Sequence, residues 1–237
     1  MEVGQSGRIA IIPARGGSKR IHKKNIIDFF GEPMIAWTIK AALTSGLFDG
    51  VYVNTDDEEI ADIAKSFGAD VPFLRKAHAD DFSPVSLATV SFARELKLIS
   101  SFNVVVQLMA NCPLRSALSI QSLVASFESD TERNAVISAM PFGMFNPWWA
   151  HEQEIGGGNV VLFPEAMNGR RSQDLPLLLC PTGATWVSTW EKLENDLTFY
   201  SRNYRLFDIG WEEGVDIDDE EDLRFARAVF LLRKAQK

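Results

Sequence analysis

Short apolar segments that alternate with helical patterns are the feature of this sequence that most restricts its fold. The first segment, residues 9–12, has no polar residue, which predicts a parallel strand that is buried on both faces. Further strands are predicted at 51–54, 71–74, 103–108, 135–140, 184–187, 204–209 and 215–217, with helices at about 33–46, 57–68, 84–99, 118–127 and 190–195 and from 219 onward. This alternation predicts an α/β fold with a doubly wound, mostly parallel sheet.

The alternation stops between residues 141 and 176. Large aromatic side chains crowd into the first part of this stretch, and three consecutive glycines follow at 156–158. We therefore predict one domain over residues 1–237 with an inserted arm at about 141–176. The adjacent Trp148 and Trp149 favour a core or a subunit interface, where large aromatics are common, over a platform for base stacking.

Composition excludes several classes of protein. The formal net charge is −8, which argues against general binding of nucleic acid, and the longest apolar runs are too short to span a membrane. The first residues lack the basic and apolar regions of a signal peptide. Cys112 and Cys180 form neither a disulfide framework nor a metal cluster. These features predict a reduced, cytoplasmic protein in which both cysteines are buried.

A basic loop follows the first predicted strand. Gly16, Gly17 and Ser18 allow a tight turn, and no acidic residue occurs between Glu2 and Asp28. Six cations surround the turn: Arg8, Arg15, Lys19, Arg20, Lys23 and Lys24. Backbone N–H groups in such a turn, together with cations, predict a phosphate site, although a solvated basic loop has the same composition. The spacing matches neither a P-loop nor a dinucleotide-binding glycine motif.

Two aspartates near the end of the chain form a second candidate site. On a strand, Asp216 and Asp218 would point to one face while Val215 and Ile217 enter the core. Neighbouring carboxylates repel each other unless a cation lies between them, and such oxygens suit Mg²⁺ that bridges to phosphates. The alternative is a solvated acidic entrance to the last helix, where acids are favourable. The three histidines, His22, His78 and His151, lack metal-ligand spacing and are interpreted as surface or structural.

Residues 12–25 resemble a signature of the cytidylyltransferases that activate sialic-acid-like sugars, hydrophobic-Pro-Ala-Arg-x-x-Ser-Lys-x-x-x-x-Lys-Asn. The stretch 215–223 resembles the family's hydrophobic-Asp-hydrophobic-Asp-x-x-x-Asp-Leu pattern. Weaker matches at 53–57, 113–115, 171–176 and 181–184 extend the resemblance from about residue 9 to 228. The segments 32–34 and 71–75 are most similar to the subgroup that acts on pseudaminic or legionaminic acid.

This resemblance implies transfer of CMP from CTP to the anomeric hydroxyl of a nine-carbon 2-keto acid sugar, with release of pyrophosphate. It also implies Mg²⁺ held by Asp216 and Asp218, and a homodimer formed through the arm. The implied catalytic residues are Arg15, Lys19, Lys24, Asp216 and Asp218. The implied nucleotide site comprises Ala14, Arg15, Gly16, Gly17, Ser18, Lys19, Lys24, Asn25, Arg75 and Ser83.

The implied sugar site comprises Gln107, Asn111, Arg171, Gln173, Thr182 and Trp186. Gln107 lies two residues further upstream of Pro-Leu-Arg than the family's glutamine, so Asn111 is an alternative for that role. Thr182 stands where the family usually has asparagine. Arg171, from the same or the neighbouring subunit, is the candidate for binding the sugar carboxylate.

Two other functions share these motifs. A metal-dependent glycosyltransferase also uses an Asp-x-Asp pair to hold a nucleotide sugar. A nucleotide sensor could keep the same pocket without catalysis. Release of pyrophosphate from CTP separates the cytidylyltransferase reaction from both.

Overall fold

The structure is a computed structural model. It describes residues 7–78, 83–98, 100–167 and 169–236, with Ser172 described by its backbone alone. Part of the predicted charged loop at 75–83, and the predicted end of a helix at 99, lie outside the described residues.

The elements follow the predicted alternation along most of the chain. The strands are β1 Arg8–Pro13, β2 Asp28–Phe29, β3 Glu32–Pro33, β4 Gly50–Asn54, β5 Val104–Gln107, β6 Val136–Pro141, β7 His151–Gln153, β8 Asn159–Val161, β9 Leu179–Thr189 and β10 Arg205–Asp208. The helices are α1 Met34–Ser45, α2 Glu58–Ser66, α3 Val85–Leu96, α4 Ala117–Glu128, α5 Pro164–Met167, α6 Trp190–Asp196 and α7 Glu220–Ala235. Short 3₁₀ turns occupy Lys24–Ile26, Pro147–Trp149 and Ser172–Asp174.

The central sheet has six strands in the order β4-β1-β5-β9-β6-β10. The ladders of β1 with β4, β1 with β5, and β6 with β10 are parallel, whereas β9 is antiparallel to both of its neighbours. The predicted α/β fold with a mostly parallel sheet is therefore confirmed. Strand β9 is longer than the predicted 184–187, and its antiparallel direction follows from the way the chain returns to the sheet after the arm.

Helices cover both faces of this sheet. Along β1, Ala10 and Ile12 pack with α1, α2 and α4, while Ile9 and Ile11 pack with α3 and α6 on the opposite face. Successive residues of a strand point to opposite faces, and helices cover both faces of this sheet. All four side chains are therefore only 0–1% exposed. Helix α7 packs instead with residues of the 21–34 region, including Ile21, Phe29 and Met34. This contact joins the end of the chain to its beginning.

The predicted arm leaves the sheet after β6 and returns at the start of β9. Pro141 and Leu179 are paired across these two strands, so the residues between them form an excursion from the sheet. The excursion contains the antiparallel hairpin β7–β8. Trp148 packs inside it, where its ring contacts Phe163 and its Nε1 donates to the Pro176 carbonyl at 3.0 Å.

Two predicted strands are absent from the structure. Residues 71–74 form no strand, and only a single bridge joins Tyr52 to Asp70. Pro72 has no N–H group to donate, which prevents a ladder beyond this bridge. Residues 215–217 also form no strand, because the Ile217 N–H donates to the Asn111 carbonyl (3.0 Å) instead of to a strand.

The prediction for the cysteines is correct for one of them. Cys112 is buried, as predicted, but Cys180 is only partly buried, at the point where the arm rejoins the sheet. Both thiols are free, and burial raises the pKa of each, that of Cys112 well above its usual value. None of the helices in the described part of the chain has the length and apolar character needed to cross a membrane.

A buried arginine fastens the loop after β5 to its neighbours. Arg115 is 4% exposed, and its guanidinium donates to the carbonyls of Ala184 and Met109 and to Thr38 Oγ1 (2.6 Å). These partners lie on β9, on the loop itself and on α1. Burial lowers the pKa of Arg115 to about 10, so the side chain remains a cation at neutral pH.

Replacement of this arginine by a residue of similar length should destabilise the fold. Arg115→Met removes the donor shared by two carbonyls and one hydroxyl, and each buried group left unsatisfied costs about 1–3 kcal/mol. We expect urea denaturation to report a free energy of unfolding lower by about 3 kcal/mol. Arg94→Met is the control, because the exposed Arg94–Glu194 pair (3.3 Å) should contribute about 0–1 kcal/mol. Equal losses in the two variants would contradict this role for Arg115.

Candidate active site

The candidate site lies beyond the carboxyl ends of β1, β4 and β5. These parallel neighbours end at Pro13, Asn54 and Gln107, so the loops that follow them meet at one edge of the sheet. Open α/β sheets bind ligands at this edge. The basic loop, residues 14–25, is the first of these loops.

Side-chain and backbone hydrogen bonds fix the conformation of the basic loop. The Ala14 N–H donates to the Asn54 carbonyl (3.0 Å), and Asn25 Nδ2 donates to the Arg15 carbonyl (2.9 Å). The Gly16 N–H donates to Asp56 Oδ1 (3.0 Å). A Cβ atom on Gly16 would lie 2.6 Å from Asp57 Oδ2, so only glycine allows this close approach to the start of α2.

A cavity of about 200 Å³ opens between this loop and the loops after β4 and β5. Seven predicted site residues line it: Arg15, Ser18, Lys24, Asn25, Arg75, Ser83 and Asn111. Five further residues complete its wall: Pro13, His78, Val85, Ala88 and Met109. The structure therefore brings four residues of the basic loop together with apolar side chains that could contact a base or a sugar.

Asp218 forms ion pairs with two cations of the basic loop. Its Oδ1 lies 2.9 Å from Lys24 Nζ, and its Oδ2 lies 2.9 Å from Arg20 Nη2. Partial burial favours the neutral carboxyl, but Lys24 and Arg20 outweigh this effect and hold the pKa of Asp218 below its usual value. These contacts join the two sequence motifs into one site.

Asp216 lies beside Asp218 in a different electrostatic environment. Its Oδ1 accepts a hydrogen bond from Asn111 Nδ2, which also lies 3.4 Å from Asp218 Oδ1. Asp216 is exposed by surface area, but the protein atoms packed around it displace part of its hydration. This desolvation, followed by the charge of Asp218, raises the pKa of Asp216 to about 6. The predicted alternation holds without a strand, since Val215 and Ile217 are 6% and 0% exposed.

The two carboxylates fit a divalent cation that is also bound by phosphates. Mg²⁺ is commonly held by one or two carboxylates together with substrate phosphates and water. Asp216 and Asp218 supply the carboxylates of that donor set. In the described ranges, no group of three or more His, Cys, Asp or Glu side chains is arranged to hold a metal ion by itself. A Cβ atom on Gly183 would lie 3.1 Å from Asp216 Oδ2, so glycine at this position leaves space beside the carboxylate.

Some predicted nucleotide-side residues do not line the cavity. Ala14 is buried at the end of β1, whereas Gly17 and Lys19 are exposed on the basic loop. Gln107, a predicted sugar contact, is 0% exposed, and its Oε1 accepts a hydrogen bond from Thr89 Oγ1 at 2.6 Å. The structure thus places Gln107 beneath the loop after β5 and not on the cavity wall.

The remaining predicted sugar contacts lie on β9 and the arm. Thr182 is 5% exposed and hydrogen-bonded to Ser138 Oγ, and its carbonyl accepts from Trp186 Nε1 (2.6 Å). Arg171 pairs with Asp174 at 3.0 Å on an exposed part of the arm. Gln173 lines a second cavity of about 270 Å³, which lies within the arm. Within one chain, the arm residues and the first cavity form separate groups.

Sequence reasoning missed two residues of the site. His78, interpreted as surface or structural, lies on the cavity wall with its Nδ1 3.3 Å from Ser83 Oγ. Its loop has no periodicity from which this position could be inferred. Arg20 was counted among the cations of the basic loop but was given no role. Its partner, Asp218, is 198 residues away in the sequence, so no local pattern reveals the contact.

Comparisons with known proteins identify the family of this chain. A profile of the cytidylyltransferase family matches residues 9–147. A pseudaminic acid cytidylyltransferase of Campylobacter jejuni is 33% identical over 94% of this chain and 95% of its own length. The CMP-N,N'-diacetyllegionaminic acid synthase of Legionella pneumophila is 31% identical over 90% of this chain and 92% of its own length.

A solved structure of CMP:2-keto-3-deoxy-manno-octonic acid synthetase, in complex with CTP, has the same fold. It superposes with a TM-score of 0.72 and 18% identity, over 96% of this chain and all of the other. The motifs at both ends of the chain, the site they form and the near full-length relatives lead to one conclusion. This chain belongs to the cytidylyltransferase family.

Proposed function

We propose that this protein transfers CMP from CTP to the anomeric hydroxyl of a nine-carbon 2-keto acid sugar of the sialic, legionaminic or pseudaminic acid type. The hydroxyl oxygen attacks the α-phosphorus, the bond from that phosphorus to the β-phosphate oxygen breaks, and pyrophosphate leaves. The observation that carries the proposal is the meeting of the aspartate pair with the basic loop through Lys24 and Arg20. This arrangement offers both cationic groups and metal ligands to one triphosphate.

The basic loop supplies the groups that would hold the triphosphate. Arg15, Ser18 and Lys24 line the cavity, and Asn25 keeps the loop closed through the Arg15 carbonyl. Lys19 lies on the same loop and is assigned to the outer phosphates. No covalent intermediate on the enzyme is required, so these residues act by orienting the α-phosphate and by stabilising the charge that develops on the departing pyrophosphate.

Asp216 and Asp218 would hold Mg²⁺. When bound, the ion would stabilise negative charge on the leaving pyrophosphate and polarise oxygens bound to it. Lys24 and Arg20 pair with Asp218 and would turn to the phosphates once the nucleotide binds. The carboxylates would then be available to the cation.

The base and the sugar are assigned to the remaining walls of the site. Arg75 and Ser83, on the cavity wall, are assigned to the cytidine side. Thr182 precedes Gly183, whose added Cβ would contact Asp216, and Trp186 Nε1 donates to the Thr182 carbonyl, so both residues are assigned to the sugar side. Arg171 and Gln173 do not line the first cavity of their own chain. They are therefore assigned to the carboxylate of the sugar that is bound in the neighbouring subunit.

The proposed working unit is a cytoplasmic homodimer in which each chain is one nucleotidyltransferase domain with a dimerisation arm at 141–176. The arm exposes apolar side chains that a second copy could cover, including Met144 (88% exposed), Phe145 (81%) and the fully exposed Ile155. Exposed apolar side chains concentrated in one segment favour an interaction site over an ordinary solvated surface. Nucleic acid and membranes are not among the proposed partners.

Pyrophosphate release tests the proposed reaction directly. The four common nucleoside triphosphates should be screened against sialic, legionaminic, pseudaminic and shorter 2-keto acid sugars. We expect release with CTP and at least one nine-carbon acid, and formation of the matching CMP ester. CTP binding without release for any acid would support the sensor interpretation and refute the proposed activity.

Neutralising either aspartate should remove activity without unfolding the protein. Asp216→Asn and Asp218→Asn each remove one charged oxygen ligand, and loss of one such electrostatic contact lowers the rate by about 10²–10³. Asp216→Asn should unfold at or slightly above the parent temperature, since the amide relieves repulsion by Asp218. Asp218→Asn should unfold slightly below it, since the charged partner of Lys24 and Arg20 is lost, and both variants should need more Mg²⁺. Asp219→Asn is the control, because asparagine can replace this aspartate as the N-cap of α7. Parent-like activity of both site variants at limiting Mg²⁺ would place the metal elsewhere.

Two neighbouring lysines should differ in their effect on CTP binding. Lys24 lines the cavity, whereas Lys23 pairs with Glu59 and does not line it. Charged hydrogen bonds contribute about 1.5–3 kcal/mol, so Lys24→Met should weaken CTP binding roughly 10- to 100-fold by calorimetry. Lys23→Met should stay within about threefold, a difference under 1 kcal/mol. Equal effects would mean that general basic charge, and not the geometry of Lys24, binds the nucleotide.

A charge in the arm should prevent dimer formation. Light scattering of the parent should give twice the chain mass at micromolar concentration. Phe145→Glu places a charge on a side chain that is 81% exposed in the single chain, and it should shift the mass towards that of the monomer. Leu98→Glu is the control, since Leu98 is 85% exposed but lies outside the arm. A parent protein that is monomeric and fully active would remove both the dimer and the cross-subunit role of Arg171.

A further inference from the structure

Asn111 contacts the aspartate segment through both its side chain and its backbone. Its Nδ2 donates to Asp216 Oδ1 and lies 2.9 Å from the Ile217 carbonyl and 3.4 Å from Asp218 Oδ1. Its own carbonyl accepts from the Ile217 N–H at 3.0 Å. The side chain is 4% exposed, so these contacts form in a place with little competing water.

These contacts have a particular electrostatic consequence. A carboxamide nitrogen carries two hydrogens, and here all three oxygens within its reach belong to residues 216–218. The donor is neutral, so it can hold two carboxylates close together without cancelling the negative charge that attracts a cation. Lys24 and Arg20 also hold Asp218, but as cations they compete with a metal for it.

The two aspartates lie on a segment without regular secondary structure. Residues 215–217 belong to no strand, so no ladder fixes the direction of the two side chains. Asn111 lies on the loop that Arg115 fastens to β9 and α1, which gives it a firm base.

We infer that Asn111 is a positioning residue whose carboxamide holds Asp216 and Asp218 at the spacing in which both bind one divalent cation. This role differs from the sugar contact predicted from the sequence, and it rests on the proposed function for the identity of the cation site. Residues that orient metal ligands without touching the metal typically change metal affinity by about 10–100-fold when they are replaced.

The test measures metal binding separately from turnover. Mn²⁺ is titrated into the protein in the presence of CTP and the absence of sugar, and water-proton relaxation is compared with that of CTP alone. Asn111→Ala should weaken Mn²⁺ binding about 10–100-fold. In steady-state assays, the Mg²⁺ concentration for half-maximal rate should rise to a similar extent, while the sugar KM stays within about threefold.

Two further variants protect the interpretation. Gln121→Ala is the matched control, because it removes a carboxamide that donates to the carbonyl of Ser45, the last residue of α1 (2.8 Å). This variant should leave Mn²⁺ binding unchanged. If Asn111→Ala does not fold by circular dichroism, Asn111→Ser takes its place. Its hydroxyl is too short to reach the same three oxygens, so the same weakening of Mn²⁺ binding is expected.

Three results would overturn the inference. A tenfold rise of the sugar KM with unchanged Mn²⁺ binding would make Asn111 a sugar contact. If neither the sugar KM nor Mn²⁺ binding changed, Asn111 would have no role at the site. A parent protein that binds no Mn²⁺ in the presence of CTP would remove the metal site itself. A parent that binds Mn²⁺ but releases no pyrophosphate would instead refute the proposed reaction, and the Mn²⁺ affinity of Asn111→Ala would still decide the inference.

Discussion

The ion pairs of Asp218 with Lys24 and Arg20 are the contacts on which the whole site depends. They join positions 194 and 198 residues apart in the sequence, and each N–O distance is 2.9 Å. Lys24 has only 15% of its side chain exposed, so water and salt screen its pair with Asp218 less than they would a pair at the surface. In this structure, cations of the loop that attracts phosphate and a carboxylate that attracts a metal therefore neutralise each other. A metal-bound triphosphate satisfies both sets of groups at once.

The fold brings these distant groups together by simple means. Strands β1, β4 and β5 run parallel, so the loops that follow them share one edge of the sheet. Helix α7 packs against residues 21–34, which places its N-terminus and the preceding aspartates beside the basic loop. A capping box stabilises the N-terminus of α7. Asp219 accepts from the N–H of Asp222, and Asp222 accepts from the N–H groups of Asp218 and Asp219.

The sequence was sufficient to predict what depends on local pattern. The buried strand at 9–12, the glycine turn with its cations and the alternating burial of residues 215–218 all follow from adjacent side chains. Contacts between distant segments could not be predicted in this way. The antiparallel direction of β9, the burial of Gln107 beneath the site and the position of His78 on the cavity wall depend on how the loops pack. The strand expected at 71–74 does not form because Pro72 has no N–H group to donate beside Tyr52, and the strand expected at 215–217 does not form because the Ile217 N–H donates to the Asn111 carbonyl.

The most direct test of this account is anomalous diffraction from crystals soaked with CTP and Mn²⁺. The central claim is that residues from both ends of the chain bind one metal-bridged triphosphate. The account predicts one strong Mn²⁺ peak in direct bonding distance of a carboxylate oxygen of Asp216 and of Asp218, with the triphosphate on the basic loop and Lys24 turned towards it. A Mn²⁺ peak away from both aspartates, or a triphosphate bound elsewhere while Asp218 keeps its pairs with Lys24 and Arg20, would contradict it.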